Sequence, residues 1–338
     1  METLEQLEQK LSEPSARLIE DMRKIKGDIM LLGVGGKMGP SLAELAVRAI
    51  AAAGVDKTVY GVSRFSEAGL KEKLEQMGVK TIACDLLDDE ALKQLPLVDN
   101  VIYMAGRKFG TTGSESLTWA MNTYLPGRVA DHFRTSNIVV FSSGNIYPFL
   151  PVAYGGASEE VAPSPIGEYA QSCLGRERIF EYAARKNNTP MLMYRLNYAI
   201  DLRYGVLLEL AKSIKEKRAI PLSMGHFNCI WQGDANEIAI RALLRCDSPP
   251  QLLNVTGPET ISVRYAAEQL SSRMGIEPIF EGEESSNALL NNASACMKEY
   301  GYPNVSLYQM LDWTAHWIMQ GGSTINKPTH FQERGGKF

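Results

Sequence analysis

Histidine is scarce in this chain. It has four in 338 residues, at His132, His226, His316 and His330, and their spacing suggests neither a metal-ligand set nor a hydrolytic triad. Cysteine is scarce too. Cys84, Cys173, Cys229, Cys246 and Cys296 are odd in number and far apart, with no CxxC pair, so neither a zinc site nor a disulfide framework is indicated. No apolar run is long enough to span a membrane. The first residues are rich in Glu and Gln, which argues against an ordinary signal peptide and leaves cytoplasm as the default. A basic surplus is also missing. The net charge of -4 gives no electrostatic case for nucleic acid, and the basic stretch 212–218 reads as a solvated helix face. Internal repeats and low-complexity segments are absent.

What is present is enough chain for one large α/β unit or two lobes with a sizeable core. Its organising stretch is 28–53. Ile29, Met30, Leu31 and Leu32 form a short apolar run, as a buried parallel strand requires. Gly33-Val34-Gly35-Gly36-Lys37-Met38-Gly39 follows, and then a helical pattern through Leu42, Leu45, Ala46, Ala49 and Ile50. A glycine-rich turn between strand and helix lets backbone approach a phosphate, and the N–H groups and helix dipole favour its charge. The frame that fits is Gly33-x-x-Gly36-x-x-Gly39. Taken alone, it is as compatible with a plain tight turn as with a nucleotide site.

Strand and helix signals then alternate. Strands are expected at 58–62, 79–83, 98–104, 138–141 and 191–196, with helices at 67–77, 88–95, 114–135 and 167–185 between them. This rhythm predicts a doubly wound parallel sheet covered on both faces. Before it, Leu4, Leu7, Leu11, Leu18, Ile19, Met22 and Ile25 predict one or two amphipathic helices. After Asn197 the rhythm loosens. A helix is expected at 204–218, a short strand at 227–231, and the helices of a smaller lobe at 262–274 and 307–320. The polar tail from Thr324 is expected to fray, although Phe331 and Phe338 are apolar enough to dock.

Chemistry-bearing residues gather at the predicted carboxyl ends of the strands. The second strand ends at Ser63-Arg64, which suits a ribose 2′-phosphate better than an acid would and leans toward NADP; an exposed basic turn is the plain alternative. The third ends at Asp85-Leu86, the fourth at Ala105-Gly106, and the fifth at Ser142-Ser143-Gly144-Asn145. Asn122 sits in the helix before the fifth strand, and Tyr169 opens the helix after it. In this order the features resemble the extended short-chain dehydrogenase/reductase family, which includes nucleotide-sugar epimerases and dehydratases. The resemblance covers approximately 29–257. It implies a Rossmann-like sheet with a smaller C-terminal substrate lobe. The domain division expected is 1–27 as a helical extension, 28–200 and 233–256 as the dinucleotide domain, and 201–232 and 257–338 as the substrate lobe.

The resemblance also implies roles. Gly33, Gly36, Lys37, Met38, Gly39, Ser63, Arg64, Asp85, Leu86, Ala105, Gly106 and Cys173 fall at cofactor-binding positions, for NAD or NADP. Tyr169, Ser143 and Asn122 fall at catalytic ones. Lys108, Asn145, Arg176 and Asn197 are candidates to meet substrate, and no metal is implied. A homodimer is implied through 114–135 and 167–185. The chemistry implied is hydride transfer on a sugar or another polyhydroxylated small molecule, with Tyr169 as acid or base.

One departure matters. The family motif is Tyr-x-x-x-Lys, and Cys173 stands at the Lys position. A free phenol titrates near ~10, so about one in a thousand is ionised at neutral pH without a nearby cation. Arg176 shares a helix face with Tyr169 and Cys173, Lys108 follows a strand end, and an oxidised nicotinamide ring is itself cationic; any of the three supplies charge, or Arg176 pairs with Glu177 or Glu181 and Lys108 is solvated. A silent cofactor-binding protein with a structural or sensing role is therefore the second reading.

Overall fold

The computed structural model describes residues 1–108 and 110–337, so the expectation for Phe338 lies outside the described residues. Its centre is a seven-stranded sheet in which every neighbouring pair is parallel. The strands are β1 (Ile29–Leu32), β2 (Val59–Ser63), β3 (Lys80–Ala83), β4 (Asn100–Tyr103), β5 (Asn137–Ser143), β6 (Met191–Leu196) and β7 (Gln251–Val255). They lie in the order β7-β6-β5-β4-β1-β2-β3. The order reverses between β1 and β4, and a crevice opens at their carboxyl ends.

Alternate residues of each strand face opposite sides, and both sides are covered. Leu31, Ile102 and Val139 pack with Leu18 and Met22 of α2 (Ala16–Lys24) and Leu42 and Ala46 of α3 (Gly39–Ala53). On the other side Met30, Val101 and Ile138 pack with Phe133 and Phe180. This burial of both faces is why β1 reads as an unbroken apolar run rather than an alternating one. A third core fills the smaller lobe, where Leu207, Phe227, Leu270 and Trp317 enclose Leu7 and Leu11 of α1 (Leu4–Leu11). The two N-terminal helices therefore serve different cores.

Two expectations about elements need correction. The single helix at 114–135 is broken into Glu115–Trp119, a π turn at Ala120–Tyr124, and Leu125–His132. Pro126 has no N–H to give the carbonyl four residues back, at Asn122, and the ladder widens there. The strand expected at 227–231 is two short bridges, His226–Phe227 and Ile230–Trp231, paired with Ile261–Ser262 and Ala199–Ile200.

The tail does not fray. Ile325 donates its N–H to the Arg203 carbonyl at 3.0 Å, and Thr329 Oγ1 donates to Glu209 at 2.7 Å. Phe331 is only 4% exposed and meets Phe227 edge-on. Gly336 lies so close to Gly167 that a side chain on either would collide with the other's backbone. The tail thus runs from the smaller lobe to α4 (Gly167–Asn187), held by one apolar anchor and hydrogen bonds that polarity alone does not reveal.

Candidate active site

The glycine turn occupies the crevice. Gly33 has φ +94°, and a Cβ there would stand 2.7 Å from the Ala105 nitrogen, so only glycine lets β1 and the β4 loop approach this closely. At Gly39 a Cβ would collide with the Val34 carbonyl, so the start of α3 also requires glycine. No side chain caps α3 at Met38. Its first turn therefore keeps N–H donors and the positive end of the dipole for a ligand. Beside it runs a groove of about 560 Å³ whose lining includes Gly35, Gly36, Lys37, Ser41 and Gly69. This cradle fits the pyrophosphate of a dinucleotide.

A second cavity of about 250 Å³ continues inward. Gly33, Gly36, Lys37 and Met38 line it from the turn, Lys108 from the β4 loop, and Ser143 and Asn145 from the end of β5. Tyr169 of α4 and Asn197 after β6 complete the expected set. The cavity also takes Tyr198, Tyr204, Ile325 and Lys327, which sequence reasoning did not select. Tyr198 had a signal, because it follows the carboxyl end of an apolar strand; its φ of +47° bends the chain there. Lys327 had none.

The remaining expected residues lie elsewhere. Ser63 accepts the Phe65 N–H at 3.3 Å, and Asp85 accepts that of Leu87 at 3.0 Å. Arg64 and Asp85 are exposed, Leu86 and Ala105 are buried, and none of these five lines either cavity. Gly106 leaves room for the Arg176 guanidinium against it.

Arg176 does not face substrate, as expected above, but is buried behind the wall. Its Nη2 donates to Asn122 Oδ1 at 2.8 Å and its Nη1 to the Phe141 carbonyl at 2.8 Å. Nor does it pair with an acid: Glu177 binds Arg195, and Glu181 binds Arg178 and Arg185. Residues 169, 173 and 176 do share a face of α4, but the face dives into the molecule. Tyr169 reaches the cavity, whereas Cys173 is 1% exposed and Arg176 is buried behind it. Asn122 is fully buried too, accepting the Arg107 N–H at 2.7 Å and donating to Ser172 Oγ at 2.9 Å. The π turn aims it inward.

The Tyr169 hydroxyl shares hydrogen bonds with Ser143 and Cys173. Burial raises the phenol well above its ordinary value and Cys173 adds to this, while Arg176 and Ser143 pull it back. Burial lowers Lys108 to about 8, and Cys173 and Glu209 oppose this. Lys37 is likewise lowered to about 8, first by burial; Asp201 resists, and Arg203 and Lys108 repel it further. Among the described residues no cluster of His, Cys, Asp and Glu is placed to hold a metal, and no helix is long and apolar enough to cross a membrane.

No protein-family model matches this chain, and no curated protein sequence matches it. Solved structures do. UDP-glucuronic acid 4-epimerase from Bacillus cereus, in complex with NAD, superposes with a TM-score of 0.70 at 18% identity, over 87% of this chain and 97% of that one. UDP-glucose 4-epimerase from Thermotoga maritima, with UDP-glucose, gives 0.69 at 15%, over 87% and 99%. The UDP-Glc/GlcNAc 4-epimerase of Campylobacter jejuni gives 0.70 at 18%, over 87% and 100%. The chain has the sugar epimerase fold.

Within this epimerase fold, β5, β6 and α4 are tied together by a buried ion pair. Arg195 Nε donates to Glu177 Oε1 at 3.0 Å and Nη2 to Oε2 at 2.8 Å. Ser142 Oγ donates to Glu177 Oε1 at 2.6 Å, and Arg195 Nη1 donates to Tyr147 Oη at 2.6 Å. Tyr147 Oη in turn donates to Asn254 Oδ1 at 2.9 Å. The pair thus fixes the strand end that carries Ser143 relative to the helix that carries Tyr169.

Proposed function

We propose that this chain is an NAD(P)-dependent oxidoreductase, epimerase or dehydratase acting on a sugar or related polyhydroxylated small molecule. One observation carries the reading: the Ser143–Tyr169 hydrogen bond opens into the same cavity as the glycine cradle. In this proposal the unit 28–200 with 233–256 holds the cofactor, and 201–232 with 257–338 closes over the substrate. Gly33, Gly36 and Lys37 would hold the dinucleotide, which when bound would supply hydride chemistry at the substrate carbon. Ser143 orients the reacting hydroxyl or carbonyl, and Tyr169 moves the proton. Because its phenol stays protonated, Tyr169 is better suited to donate a proton during reduction than to remove one. Asn122 and Arg176 act as positioning residues, holding Phe141 and the β4 loop from behind.

The deciding experiment is calorimetric titration of the protein with NAD and with NADP. One of them is expected to bind, and Arg64→Ala is expected to weaken NADP more than NAD, since Arg64 and Ser63 suit a 2′-phosphate. Association of neither cofactor overturns the reading. The silent alternative draws on Cys173, a neutral thiol where the family has a cation. Cofactor binding with no turnover across a panel of sugars and sugar acids would favour it.

A homodimer is part of the proposal. Leu117, Trp119, Tyr124 and Tyr182 are exposed on the two helical segments that the resemblance implicates, and a second copy would cover them. Analytical ultracentrifugation is expected to show a dimer that Tyr124→Glu with Tyr182→Glu dissociates. A wild-type monomer at micromolar concentration refutes it.

A further inference from the structure

We propose that Lys108, beside Tyr169, forms an anion site that selects a sugar bearing a negative charge. The inference rests on the proposed function and names its substrate class. Three lysines from three separate segments, the glycine turn, the β4 loop and the C-terminal tail, line one cavity of about 250 Å³. Their arrangement is built rather than incidental. Lys37 Nζ donates to the Ala199 carbonyl at 2.8 Å and lies 4.3 Å from the centre of the Tyr204 ring. Lys108 Nζ donates to the Thr329 carbonyl at 3.1 Å and lies 6.0 Å from the centre of the Tyr169 ring.

Two acids act on these lysines, Asp201 on Lys37 and Glu209 on Lys108, and each also holds another group. Asp201 Oδ2 accepts from Arg203 Nη2 at 2.9 Å, and Glu209 holds Thr329 through both its oxygens. Two ammonium groups crowded in a buried cavity repel each other and lose hydration. Both effects lower Lys37 to about 8, and burial does the same to Lys108. An anion placed between them relieves both.

The three lysines divide the work. Lys37 and Lys327 also line the outer groove, where the cofactor's phosphates fit, whereas Lys108 lines the inner cavity alone, beside Tyr169. Lys108 is thereby the specificity residue for substrate.

The test measures binding of D-glucuronate, D-gluconate, glucose 6-phosphate and neutral D-glucose by calorimetry, with and without saturating NAD or NADP. The anionic sugars are expected to bind more tightly than glucose, and the carboxylate and phosphate arms identify which anion is preferred. Lys108→Met is expected to weaken the anion roughly tenfold or more, the share of one charge-assisted hydrogen bond. Lys108→Arg should retain most of the affinity, and Lys108→Met should leave cofactor affinity unchanged. Equal binding of glucose, indifference to Lys108→Met, or no binding of any anionic sugar overturns the anion site. If Lys108→Met does not fold, the comparison of acids with glucose in the wild-type protein still decides. Absence of cofactor binding instead defeats the proposed function and is read in a separate titration.

Discussion

Tyr169→Phe is expected to lower turnover by about two to four orders of magnitude, the range a positioned acid or base supplies. The ring remains in the wall, so cofactor affinity and the unfolding midpoint should stay near wild type. What is lost is the hydroxyl that links Ser143 to Cys173. Steady-state rates in both directions are the measurement, and unaltered turnover removes Tyr169 from the mechanism. The pH dependence follows from the direction of the shift. Reduction needs the phenol and oxidation needs the phenolate. Since burial raises Tyr169 well above its usual value, the fraction protonated stays near one through neutral pH. Reduction should therefore hold its rate until the strongly alkaline range and then fall, while oxidation should climb with pH throughout.

Arg195→Met is expected to destabilise the protein by about 3–5 kcal/mol, because it leaves the Glu177 carboxylate buried without its partner. Both side chains are 3% exposed, and the pair is bidentate. A surface pair such as Lys24 with Glu20 contributes far less, because water screens it. The double change Glu177→Leu with Arg195→Met should cost less than the sum of the singles, since it removes both charges together. Urea unfolding of the four proteins completes the cycle. Additive losses would mean that the two groups do not act as a unit. Turnover should fall in the folded single variants as well, because Ser142 and Tyr147 are bound by the same pair.

The two predictions differ in how readable their residues were. Tyr169 stands out because it opens a helix after a strand that ends in Ser143, and chain order carries that information. Arg195 and Glu177 lie eighteen residues apart in different elements, and no local pattern joins them. Arg176 shows the limit most sharply. Helical spacing correctly places it on one face with Tyr169 and Cys173. Spacing gives no depth, however, and Arg176 points away from the cavity and into the Asn122 side chain.

By itself, the sequence determined the doubly wound sheet, the place of its crevice and the glycine turn at its mouth. These follow from apolar runs of strand length, their alternation with helical periods, and glycines where a Cβ has no room. Tertiary structure alone decided which cations share the inner cavity. Lys37, Lys108 and Lys327 come from segments brought together by β1, β4 and the docked tail, and a charge's neighbours depend on distances in space that no spacing along the chain encodes.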